Sequence, residues 1–103
     1  MALTNINFMM NLVDSYLSGE IPRLIFQLDF HGELLSRYKK MVREDREYAE
    51  LFYDWLCEDG VDLGNGLSDA DFRRLIKKQF NEVKSIVTSG FFLAACGGAF
   101  MDL

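Results

Sequence analysis

The chain has 103 residues, half of them apolar, and a net charge of −5 from 11 basic and 16 acidic side chains. That length fits one domain whose core is large enough to fold without a metal or disulfide staple. The two cysteines, Cys57 and Cys96, form no CxxC and no zinc-spaced set with the single histidine. They read as small hydrophobes of a reducing compartment.

The apolar residues recur at helical spacing, and alternation of the strand kind is nearly absent. A first helix is expected from about Asn5 to Leu17, with Ile6, Met9, Met10, Val13 and Leu17 on one face. Thr4 or Asn5 can cap it, and Ser18-Gly19 supplies the stop. No basic and apolar leader precedes it, so a cytoplasmic protein with no signal peptide is expected.

A second helix opens at Pro22, where a missing N–H costs nothing, and runs to about Val42. Leu24, Leu28, His31, Leu35, Tyr38 and Val42 make one stripe, which Phe26, Phe30, Leu34 and Met41 widen. A surface this broad predicts two neighbours for the helix. Gly32 interrupts it at a cost of about 1 kcal/mol, which a close crossing or a kink would explain.

A third helix is expected from Glu44 or Asp45 to Asp59, buried through Tyr48, Leu51, Phe52, Trp55 and Leu56. At ~100° per residue, Glu44, Glu47, Glu50, Asp54 and Glu58 fall on an adjoining stripe. Residues 60–67 (GVDLGNGL) read as a loop with several positive-φ glycines. Ser68 caps a fourth helix with Phe72, Leu75, Ile76, Phe80, Val83 and Val87 inside and Arg73, Arg74, Lys77, Lys78 and Lys84 outside. It ends near Thr88-Ser89-Gly90, or else continues into the apolar tail. The tail is too short to span a membrane by the ~20-residue rule. These elements predict an all-α, single-domain antiparallel four-helix bundle over residues 1–88, with an extra C-terminal apolar segment over 89–103.

Little in the chain suggests catalysis. His31 sits in an apolar stripe and reads as a core or interface histidine. There is no HExxH, GxSxG or phosphate loop, and Asp59, Asp62 and Asn65 fail the calcium-loop spacing. No cofactor is expected. The informative feature is charge segregation. Between Glu44 and Asp71 stand ten carboxylates and one cation, Arg46. The plain account is a solvated helix face. The functional account is a surface that steers a basic partner, because surfaces shaped only for solubility mix their signs. The basic stripe of the fourth helix has the same two readings, with phosphate contact as the functional one.

The stretch NLVDSYLSGEIPRLIFQLDFHGEL (residues 11–34) resembles the opening of the colicin-D-type bacterial immunity proteins. The turn Tyr16-Leu17-Ser18-Gly19-Glu20-Ile21 and the aromatics Phe26 and Phe30 carry the likeness. EYAELFYDWLCEDG (47–60) and LSDADFRRLIKKQF (67–80) follow in the same order. The resemblance implies a helical bundle that binds and neutralises a cognate toxin, in several cases a tRNA-cleaving RNase with a basic cleft, as in bacteriocin and contact-dependent growth inhibition systems. It places the partner-binding role on Glu47, Glu50, Asp54, Glu58, Asp59 and Asp62. The charge stripe adds Glu44, and Tyr53, set away from the apolar stripe by helical angle, is an expected aromatic anchor. Competing expectations are a homodimer through the tail and a nucleic-acid binder using the fourth helix.

Overall fold

The computed structural model describes residues 3–95, with side chains through Val87. The fold is an all-α bundle: α1 (Thr4–Leu17), α2 (Arg23–Glu44), α3 (Arg46–Leu51), a π-helix (Phe52–Asp62) running straight on from α3, and α4 (Asp69–Ala95). Among the described residues there is no strand, and no helix is long and apolar enough to cross a membrane.

The turn after α1 follows from Gly19, whose φ of +89° is open to glycine and strained for other residues. It lets Glu20 N–H reach Ser15 O (2.9 Å) and Gly19 N–H reach Tyr16 O (3.1 Å), so the last carbonyls of α1 are satisfied. The start of α1 is solved from far away. Neither Thr4 nor Asn5 caps it. The Glu44 carboxylate, at the end of α2, accepts from the backbone N–H groups of Asn5 (2.8 Å) and Ile6 (2.9 Å). A negative group there also complements the positive end of the helix dipole. Ser68 caps α4 as its spacing predicts, accepting from Asp71 N–H at 3.2 Å.

The core is aromatic at its centre. Tyr16 stacks on Phe26 at 4.6 Å, Phe30 on Phe52 at 5.7 Å, and Phe72 meets Phe26 edge-on. This cluster decides which face of α2 turns inward. Phe26, Phe30, Leu34 and Met41 are buried, while Leu24, Leu28 and Leu35 stay 66%, 65% and 73% exposed. The stripe expected to lead is therefore outward at Leu24, Leu28 and Leu35, with only Tyr38 and Val42 packed against the core, because the large rings remove more apolar area from water and stack on partners across the core. Gly32 lies on the exposed side with nothing within 4 Å of where a Cβ would stand. Neither a close crossing nor a kink accounts for it, since α2 runs unbroken through it.

The third segment departs most from expectation. Beyond Leu51 the backbone widens into an 11-residue π-helix. Its i→i+5 pattern shows at the end, where Leu63 N–H donates to Glu58 O at 3.2 Å. The wider turn respaces the inner face to Phe52, Leu56, Cys57, Gly60 and Val61, leaving Tyr48, Leu51 and Trp55 half-buried. Gln79 of α4, itself buried, donates its side-chain amide to the carbonyls of Trp55 (3.2 Å) and Asp59 (3.4 Å). Glycine at 60 and 64 serves close packing, not positive φ, which neither adopts. A Cβ on Gly64 would stand 2.9 Å from both Gly60 O and Leu75 Cδ2. Arg23 then fastens the turn to α2: its guanidinium donates to Leu67 O and Asp69 Oδ1 (2.8 Å each) and to Asn65 O (3.1 Å), and it lies over the Phe72 ring.

The α4 helix runs through Gly90 to Ala95, so of the two expected endings the continuing one is observed. The remainder of the expected apolar tail, 96–103, lies outside the described residues, as do its proposed homodimer contacts.

Candidate functional site: an acidic face beside an apolar groove

The ten acids of residues 44–71 divide into two groups once folded. One group is used by the molecule itself. Glu44 holds the start of α1. Burial works to raise its carboxyl, but the donations from Asn5 and Ile6 and the nearby Arg37 outweigh this and set it below its ordinary value. It therefore does not belong to an outward recognition row. Asp45 caps α3 by accepting from Tyr48 N–H at 3.1 Å. Asp69 pairs with Arg23 at 2.8 Å and Asp71 with Arg74 at 3.1 Å. Asp62 lies 2.8 Å from His31 Nε2. The acidic run therefore does not continue uncompensated past the third segment.

The second group is Glu47, Glu50, Asp54, Glu58 and Asp59, all exposed. The one cation within 4.0 Å of any of them among the described residues is Arg46, 4.0 Å from Glu50 with both side chains well exposed. Such a pair contributes little. Glu47, Glu50 and Asp54 line one shallow depression with Leu51, which places three of them on a common face. The negative field there is felt by Tyr38 of α2: burial first, then the carboxylates of Glu50 and Asp54, raise its phenol above the ordinary value.

Tyr38 also fixes how α2 lies against this segment. It packs edge-on against Tyr53 at 5.4 Å, and His31, two turns earlier, meets Asp62. The two elements are thus antiparallel neighbours. Leu24, Leu28, His31, Leu35 and Tyr38 share one stripe of α2 by helical spacing, so its exposed leucines border the acidic segment. Leu24, Leu28 and His31 line an open cleft whose other wall is Val61, Asp62 and Asn65. Tyr53 itself is half-buried and packed against the core, so it is less an outward anchor than its helical angle suggested.

The exposed leucines are residues that the sequence reading assigned to the core. Their signal was present: α2 is apolar on two faces and the bundle fills only one. An exposed apolar patch rimmed by polar groups is a mark of an interaction surface. The cations of α4 are partly consumed. Arg73 donates to Tyr16 O at 3.2 Å, Arg74 pairs with Asp71, and Lys84 lies over Phe80, leaving Lys77 and Lys78 outward.

Cys57 is buried, with Sγ 3.8 Å from Asp62 Oδ2. Burial and that carboxylate push its thiol up to about 11. A thiol held protonated in this way, facing a carboxylate, is not an activated nucleophile.

No protein-family model, curated protein or solved structure matches this chain.

Proposed function

We propose that the chain is an immunity protein that binds and neutralises a cognate bacterial toxin nuclease, of the tRNA-cleaving RNase kind, by laying its acidic face over the toxin's basic substrate cleft. One observation supports this above the rest: Glu47, Glu50, Asp54, Glu58 and Asp59 are exposed, the first three on a common face, and only Glu50 has a cation within 4.0 Å among the described residues, while the other acids of the same stretch are paired or capping. Carboxylates arrayed in this way present anionic groups where a nuclease expects phosphates, which accelerates encounter and weakens as salt screens it. The exposed leucines of α2 offer apolar area whose burial adds what charge alone does not.

The test is protection of cells. A toxin domain from the neighbouring reading frame is co-expressed with the wild-type chain or with Glu47→Lys/Asp54→Lys. Protection by the wild type and its loss in the double variant, at equal protein level, is the expected outcome. Equal protection by both would remove the acidic face from the mechanism.

The bare leucine stripe favours one further reading, a homodimer through α2. Sedimentation of the wild type against Leu28→Glu decides it: a dimer that dissociates in the variant supports self-association, and a monomer in both leaves the stripe for another protein.

A further inference from the structure

Three chemically distinct metal-binding groups meet where α2 passes the end of the π-helix. The ligating atoms of His31, Cys57 and Asp62 all lie within 4.8 Å of one another. The closest pairs are His31 Nε2 to Asp62 Oδ1 at 2.8 Å and Cys57 Sγ to Asp62 Oδ2 at 3.8 Å. We propose that His31, Cys57 and Asp62 form a three-ligand site for a borderline transition-metal ion of the zinc class, with the fourth position open to the cleft.

The π-helix makes this possible. In an α-helix, residues five apart diverge by roughly 140° around the axis. The i→i+5 stacking of residues 52–62 instead brings Cys57 and Asp62 onto one face, and π segments recur at functional sites. The same widening turns that face toward α2, where His31 is half-exposed. Zinc bonds of ~2.0–2.3 Å require ligand atoms roughly 3.3–3.7 Å apart in a tetrahedron, so closure takes about 1 Å of side-chain movement. The ligand set decides the metal. A thiolate with an imidazole and one carboxylate suits zinc and its relatives, whereas calcium and magnesium select oxygen alone. Binding would release the Cys57 proton to solvent as the sulfur–metal bond forms. Access is through the open cleft that His31 and Asp62 line with Leu24, Leu28 and Asn65, and water entering there completes the coordination. None of the five outward acids of the toxin-binding reading is a ligand here, and the cobalt test needs no toxin.

Cobalt(II) is the probe, added to the full reduced chain after chelator treatment. The expected result is one equivalent bound, with a thiolate-to-cobalt charge-transfer band and strong tetrahedral d–d bands, both lost on adding zinc. Cys57→Ser should abolish the charge-transfer band. His31→Asn and Asp62→Asn should weaken binding at least tenfold, no less than the ~10–100-fold seen on losing a ligand's supporting partner. Zinc should raise the melting temperature of the wild type by more than that of His31→Asn, because stabilisation follows affinity. His31 is on the surface, so its variant keeps the fold and the comparison remains decisive. Absence of a charge-transfer band in the folded wild type would overturn the site. So would a band that survives Cys57→Ser, because Cys96 would then be its source.

Discussion

The basic face of α4 and the acidic face of the third segment look alike in sequence, each a row of one sign on an amphipathic helix. Folded, they differ. Arg73, Arg74 and Lys84 turn to a carbonyl, a carboxylate and a ring of their own molecule. Glu47, Asp54, Glu58 and Asp59 meet no cation within 4 Å among the described residues, and Glu50 meets one at the limit. A charge satisfied internally serves stability. A charge left exposed beside like charges costs self-repulsion, which a basic partner would relieve under the proposed function.

Five sets of variants test that contrast and the fold that carries it, beginning with the largest expected effect. Reversing two acids of the outward face, Glu47→Lys/Asp54→Lys, should weaken toxin binding by at least about 100-fold, or ~3 kcal/mol, with the melting temperature nearly unchanged. Lys77→Glu/Lys78→Glu on α4 should leave binding unchanged. Calorimetric titration of both pairs reads this, and equal losses would erase the contrast. Gly64→Ala should destabilise the fold by about 2 kcal/mol in urea unfolding, because the new methyl meets Gly60 O and Leu75 in the packed seam that holds the π-helix to α4.

Glu44→Ala should cost about 1–2 kcal/mol of stability and leave toxin binding intact, which separates an acid working inward from its neighbours working outward. The sign of its pH dependence follows from a carboxyl held below its ordinary value. The Glu44 contribution is fully present above the unfolded glutamate value of 4.5 and fades as pH falls through the lower folded one. The wild type should therefore lose its advantage over Glu44→Ala on acidification, as paired urea curves would show. Smallest is Gly32→Ala, which should stabilise by up to about 1 kcal/mol because the helix interior there is open to a methyl. A loss would mean that another element packs closely on that face.

Local rules made much of the fold legible. The 3.6-residue period marked α1, α2 and α4, Gly19 marked the stop after α1, and Ser68 marked the cap of α4. What stayed hidden depends on partners far along the chain. Glu44 and Asn5 are 39 residues apart, so no local spacing reveals that one caps the other's helix. Period alone shows that α2 has two apolar faces, and the aromatic cluster of Tyr16, Phe52 and Phe72 chooses between them. The π-helix left no trace in a 100° wheel, and with it went the meeting of Cys57, Asp62 and His31. Of the expected site, Glu47, Glu50 and Asp54 share one outward face and Glu58 and Asp59 are exposed, whereas Glu44 and Asp62 are engaged within the molecule and Tyr53 is half-buried.

The most direct measurement is the association rate with the toxin domain across a salt series, wild type against Glu47→Lys/Asp54→Lys. An outward acidic face that meets a basic cleft predicts a fast rate that falls steeply with ionic strength in the wild type, and a slow, flat one in the variant. Identical rates and slopes for the two would contradict it.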